Sequence, residues 1–95
     1  MNMVIQSFRD VRAAKLMRME RVVELANIED QARTRLIRLD SATSLEDLRA
    51  FRGNRLEALA GDRKGQFSIR INDQYRICFK WKPEGPTDVE ITDYH

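Results

Sequence analysis

The spacing of apolar residues changes once along this chain, near Gly53, and that change narrows the architectures open to it. Before it, apolar positions recur three and four residues apart, the spacing of one helix face. Ile28, Ala32, Leu36 and Leu39 show this most cleanly, and Val11, Ala14, Met17 and Leu25 follow it loosely. After it, the pattern alternates. Phe67, Ile69 and Ile71 interleave with Gln66, Ser68 and Arg70. Tyr75, Ile77, Phe79 and Trp81 interleave with Arg76, Cys78, Lys80 and Lys82, and Val89 and Ile91 with Glu90 and Thr92. Alternation marks strands buried on one side only. Helices followed by a meander of strands predict an α+β fold, with N-terminal helices packed on one face of an antiparallel β-sheet. The other face is left polar and basic.

Local signals refine this. Residues 11–26 hold good helix formers and no Gly or Pro, so one helix is expected there, with Met17 and Met19 as packing residues. A second helix is expected from an Asn27 N-cap, with Glu29 and Asp30 at its positive end, to about Asp40. Ser44 heads a short helical turn, with Asp47 placed as in a capping box. Val4, Ile5 and Phe8 suit a short first strand, and Arg55–Leu59 a weak one. Turns are expected at 72–74 and 83–86. Trp81 and Cys78 read as a core ring and a small filler.

Ninety-five residues support one domain, expected to span 1–95, with too little core for a large organic cofactor. No apolar run approaches the ~20 residues that cross a bilayer. The first ten residues lack a secretion signal, so a cytoplasmic location without membrane contact is expected. One Cys and one His allow neither an intrachain disulfide nor a zinc spacing, so no metal and no cofactor are expected.

Charge is unevenly distributed. Residues 1–50 carry nine basic and eight acidic side chains, residues 51–82 eight and three, and residues 83–95 none and four, so the net charge runs +1, +5, −4. The central basic block comprises Arg52, Arg55, Arg63, Lys64, Arg70, Arg76, Lys80 and Lys82. It suits either a solvated strand face or a polyanion partner.

Register sharpens the second reading. Placing Phe67, Ile69 and Ile71 on the face shared by Tyr75, Ile77 and Phe79 requires a three-residue loop at 72–74. Phe67 then faces Phe79 and Ile69 faces Ile77, while on the other face Arg70 meets Arg76. Like charges directly opposite destabilise a sheet. An anion between the two guanidiniums would relieve them, and phosphate oxygens match their forked donors. The alternative is neutralisation by Asp73, Glu90 or Asp93. If Trp81 pairs with Val89 and Phe79 with Ile91, Lys80 faces Glu90 and Tyr94 joins the arginine row beside Arg76. Asp93 and His95 would flank it.

Such a group suits metal-free RNA cleavage, which deprotonates a 2′-hydroxyl, stabilises a charged phosphorane and protonates the leaving 5′-oxygen. Arg70 and Arg76 fit the middle task; Asp93, Tyr94, His95 or Glu57 could handle the protons. Arg55, Arg63, Lys64, Lys80 and Lys82 would attract RNA. The Gly61–Gly65 loop lacks the setting of a phosphate-binding P-loop and reads alone as an ordinary turn.

A resemblance extends the reading. Ala42–Leu48, Asn54–Arg63, Gly65–Asn72, Gln74–Phe79 and the terminal Asp93-Tyr94-His95 together resemble the HigB family of toxins, within the RelE/ParE superfamily, and look closest to its GraT-like branch. The resemblance implies a RelE-like microbial RNase fold and metal-free cleavage of mRNA in the ribosomal decoding site. It implies a HigA-like helix-turn-helix antitoxin as partner, with operator DNA reached only through that antitoxin. The family's terminal triplet carries over to Asp93, Tyr94 and His95, and a strand arginine to Arg76. Some members carry a site His where this chain has Glu57, a Lys where it has Ala60, and a second strand arginine where it has Asn72, so that Arg70 would stand in from two residues away. His95 would then carry more of the proton transfer, or cleavage would be slow. Two other functions fit the same fold: a gyrase-poisoning toxin of the ParE type, and a non-catalytic RNA-binding module.

Overall fold

A computed structural model of the chain describes residues 4–93. Three helices, α1 (Val11–Met17), α2 (Glu29–Ser41) and α3 (Leu45–Ala50), precede four strands, β1 (Glu57–Ala58), β2 (Gln66–Arg70), β3 (Tyr75–Lys82) and β4 (Gly85–Asp93). The strands form one antiparallel sheet in the order β1-β2-β3-β4. Leu16, Leu25, Leu36, Leu39 and Leu48 from the helical half pack with Ile69, Ile77, Phe79, Val89 and Ile91 from the sheet, all essentially closed to solvent. This is the expected α+β, RelE-like arrangement, with helices on one face of the sheet.

The helix expected over 11–26 ends early. Met19 adopts φ +64°, the Glu20 N–H donates to the Lys15 carbonyl at 2.9 Å, and the Met19 N–H to the Leu16 carbonyl at 3.1 Å. These two bonds are a Schellman closure, which usually uses Gly at the left-handed position. Met19 there is 71% exposed and is not a packing residue. Ala13 and Leu16 face the core, and Val11 is largely exposed. A 3-10 segment, Val23–Ile28, then leads into α2. Asn27 lies inside that segment, so Ile28, not Asn27, occupies the N-cap of α2, without a side-chain bond.

Ser44 caps α3 as expected, its Oγ accepting from the Asp47 N–H at 3.2 Å. Asp47 turns mainly to Thr43 rather than to Ser44. Its Oδ2 accepts from the Thr43 N–H and Oγ1 at 2.8 and 2.7 Å, and the backbone bond above all holds the carboxyl below the usual aspartate range.

The N-terminal segment forms no strand of its own. Phe8 makes a single parallel bridge to Val89, and the Val4 and Ile5 N–H groups both donate to Asp40 Oδ1, at 2.7 and 2.9 Å. Asp10 has two tasks. Its Oδ1 accepts from the Arg12 N–H at the start of α1, and its Oδ2 accepts from the Ile91 N–H on β4.

The β2–β3 register is as expected: Phe67 opposite Phe79, Ile69 opposite Ile77, Arg70 opposite Arg76. The β3–β4 register is not. Pro86 and Gly85 belong to β4, so only Pro83 and Glu84 form the turn. Trp81 pairs with Pro86 rather than Val89, and Lys80 with Thr87 rather than Glu90. The ladder then shifts between Cys78 and Lys80, where Asp88 takes φ +54°. Beyond this bulge Ile77 pairs with Ile91 and Arg76 with Thr92, not with Tyr94. Proline is tolerated near the start of an outer strand, where no ladder N–H is needed. Trp81 is only half-buried at the core margin, edge-on to Phe79.

Gly85 has φ +138°, and a Cβ there would sit 2.4 Å from the Val4 carbonyl oxygen. Gly85→Ala is expected to destabilise by about 2 kcal/mol or more, read as a lower urea midpoint. Gly53→Ala, whose Cβ would meet its nearest atom at an ordinary 3.7 Å, is expected to change stability far less.

Candidate active site

The apolar rows that bury the helix-side face leave the alternate residues on the opposite one. Across the strands they form registered rows: Glu57, Ser68, Cys78 and Glu90 in one, Arg70, Arg76 and Thr92 in the next. This face is polar but not uniformly exposed. Cys78 is fully buried and Ser68 nearly so. Arg63 rises from the turn Gly61–Arg63, its Nη1 3.0 Å from Gln66 Oε1 and 2.5 Å from Glu90 Oε1, and so reaches from β2 to β4 across Cys78 on β3. Glu90 holds the Arg63 guanidinium above its usual pKa. Thr92 Oγ1 lies 3.3 Å from Cys78 Sγ. The floor of the face is therefore built from specific contacts.

Beside that floor, Arg55, Glu57, Arg70 and Asp73 line an open cleft of about 310 Å³. Each wall has a local cause. Arg55 adopts φ +45°, turning the chain out of the Arg52–Asn54 turn and into β1. β1 then pairs Glu57 with Ser68, on the arginine face. Arg70 closes β2, and its side chain pairs with Asp73 in the following turn. Asp73 is almost fully exposed, so this pair is worth little. Arg35 reaches over from α2, its Nε donating to the Arg70 carbonyl at 3.1 Å.

The structure thus brings together Arg70, Arg76, Glu57 and Arg55. It separates others. Asp93 pairs with Tyr75, in the row of the helix-side face, and accepts from Gln74 Nε2 at 3.1 Å. Strand alternation puts it across the sheet from the arginine row, contrary to expectation. Arg63 is engaged by Glu90, and Lys80 Nζ lies 3.3 Å from Asp88 Oδ2, so neither is the free cation expected. Lys64 and Lys82 are exposed. Tyr94 and His95 lie outside the described residues.

Sequence reading missed Arg35 and Thr92. Arg35 sits next to Leu36 on a charged helix, with no signal that its guanidinium reaches the sheet. Thr92 enters the row because the β3–β4 register differs from the one expected. Among the described residues, no group of three or more His, Cys, Asp and Glu side chains stands placed to hold a metal ion, and no helix is long and apolar enough to cross a membrane.

Comparison with known proteins fits this geometry. Residues 6–95 match a family model described as the RelE-like toxin of the type II toxin-antitoxin system HigB. The chain is also similar to Toxin HigB-1 of Vibrio cholerae serotype O1, 46% identical over 56 residues. That match covers 59% of each chain, so it spans about three fifths of the relative's length.

The Arg63–Glu90 cover makes a testable statement about Cys78. In the native protein Cys78 should react slowly with a thiol reagent. Arg63→Ala should raise its labelling rate several-fold, while Lys64→Ala leaves it unchanged; equal rates in all three proteins would contradict the cover.

Proposed function

This chain belongs to the family of RelE-like HigB toxins of type II toxin-antitoxin systems, and we propose that it is a metal-independent endoribonuclease that cleaves mRNA in the decoding site of the ribosome. The observation that carries this reading is the Arg70–Arg76 pair, facing across adjacent strands beside a cleft that also holds the Glu57 carboxylate.

The chemistry follows from these groups. A scissile phosphate between the two guanidiniums relieves their mutual repulsion and receives forked donors. Glu57 takes the proton of the 2′-hydroxyl, and the 2′-oxygen attacks phosphorus. Negative charge grows on the non-bridging oxygens as the phosphorane forms, and Arg70 and Arg76 stabilise it where it develops. The bond from phosphorus to the 5′-oxygen breaks as Tyr94 or His95 returns a proton to that oxygen. The products are a 2′,3′-cyclic phosphate and a 5′-hydroxyl. Asp93 receives no proton-transfer role, because its register row lies on the other face. Arg55, Lys64 and Lys82 add attraction to the RNA backbone.

A toxin of this kind acts in the cytoplasm as one domain over residues 1–95. A HigA-like helix-turn-helix antitoxin is its partner, and operator DNA is met only through that antitoxin.

Induced expression should arrest growth, and transcript-end mapping should show new mRNA 5′ ends within translated codons. Cleavage by ribosome-bound toxin should persist in a chelator once ribosomes are cross-linked intact. Arg76→Ala and Arg70→Ala should each lower the cleavage rate by about a hundredfold, with Lys82→Ala nearly neutral. Growth arrest with trapped gyrase–DNA complexes and no new mRNA ends would replace this reading with a gyrase-poisoning one.

His95→Ala or Tyr94→Ala should relieve toxicity without shifting the melting temperature. A chain truncated after Thr92 that still cleaves at the normal rate would remove both from the mechanism.

A further inference from the structure

Most arginines of this protein have a carboxylate partner. Arg9, Arg12, Arg18, Arg33, Arg49, Arg63 and Arg70 all lie in ion pairs. Arg21, Arg35, Arg38, Arg52 and Arg55 have none among the described residues, and the last four collect on one shoulder of the molecule. Arg38 Nη1 lies 3.4 Å from Asn54 Oδ1, and its guanidinium carbon sits 4.7 Å above the centre of the Phe51 ring. Arg35 Nη2 comes so close under the Arg52–Asn54 turn that a Cβ on Gly53 would be 3.7 Å from it. Arg35 Nε also holds the Arg70 carbonyl, and Arg55 shares the cleft with Arg70. These four arginines therefore continue the proposed active site around the edge of the sheet.

Two further features describe the ligand. Partial burial, with Arg38 and Arg70 as neighbours, depresses the Arg35 pKa, a sign of positive charge crowded without local relief. Phe51 keeps 49% of its surface exposed in the middle of this charge, and Ile37 beside it 51%, over a groove of about 430 Å³ between α2 and α3. Arg38 lines that groove with Phe51, opposite the Asp47 carboxylate, and Arg35 and Arg52 stand at its sheet-side end. Guanidiniums beside an open aromatic ring suit single-stranded nucleic acid: donors for phosphates and a face for a base.

We propose that this shoulder is a second subsite for the RNA strand, in which Arg35, Arg38 and Arg52 hold phosphates beyond the scissile one and Phe51 stacks a base. The proposal deepens the nuclease reading and rests on it. It gives the substrate a direction: the strand leaves the Arg70 cleft past Arg55 and runs toward α2.

The test uses the full-length toxin and uncleavable 2′-O-methyl oligoribonucleotides, a trinucleotide and one of about ten nucleotides. Binding is read by fluorescence anisotropy over a range of salt concentrations. The native protein should bind the longer probe more tightly and with a steeper salt dependence. Arg38→Gln/Arg52→Gln should lower the log–log salt slope for the longer probe by about 1.4, two contacts at ~0.7 each, and leave the trinucleotide unaffected. Phe51→Leu should weaken the longer probe about tenfold. Arg52→Gln alone, at an exposed position with no side-chain bond, keeps the test free of folding defects and should lower the slope by about half as much.

Unchanged affinity and slope in these variants, while the native toxin cleaves mRNA, overturns the subsite. So does selective loss of antitoxin neutralisation with RNA binding intact, since the shoulder would then serve a protein. If native toxin cleaves no mRNA yet the length-dependent losses appear, the shoulder stands as an RNA-binding surface and the nuclease reading fails.

Discussion

Burial of Ile69 against Ile77 and Phe67 against Phe79 fixes what lies on the far side of the same two strands. A slip of one residue would turn the whole apolar row of β2 into water. The register therefore holds, and with it the opposition of Arg70 and Arg76. An unfavourable pairing of like charges is imposed by a favourable pairing of apolar side chains one residue away. This is how a stable fold can hold two guanidiniums opposite one another: the helices supply the stability, and the open face carries the electrostatic cost.

That face divides into two parts with different electrostatic character. Over Cys78, Arg63 is tied to Glu90 and Gln66, and the charges there are compensated. Around Arg55, Glu57 and Arg70 compensation is weak, because Asp73 is exposed. Net charge along the sequence did not separate these regions. Arg63 and Lys80 count in the basic block, yet each faces a carboxylate of the acidic C-terminal segment, Glu90 and Asp88. The cations left over sit nearer the helices than the sequence suggested.

Much of the fold was legible because it follows from spacing. Alternation located β2 and β3 and set their register, helical spacing placed Leu36 and Leu39 in the core, and Ser44 announced α3. The misses have local causes that spacing does not encode. α1 stops in a left-handed turn built on Met19 instead of glycine. The turn closes over Pro83 and Glu84 alone and Asp88 adds one residue to β4, so Thr92, rather than Tyr94, stands opposite Arg76. Of the site, the Arg70–Arg76 pair could be read from the alternation of β2 and β3. Alternation with Val89 and Ile91 already placed Asp93 in the helix-side row, so its position at the strand end did not bring it to the arginines. Arg35 could not be read, because a contact from a helix side chain to a strand carbonyl leaves no periodic trace.

The N-terminal segment has a consequence at the level of assembly. Residues 6–10 run beside β4 and bond to Pro86 and Val89, and Asp10 takes the Ile91 N–H, so the outer margin of the last strand is already occupied by the chain itself. On the opposite margin β1 offers only two residues. Neither border presents the long bare backbone on which foreign chains stack. A partner seeking this protein must therefore recognise its side-chain surfaces, since the sheet has little main chain left to share.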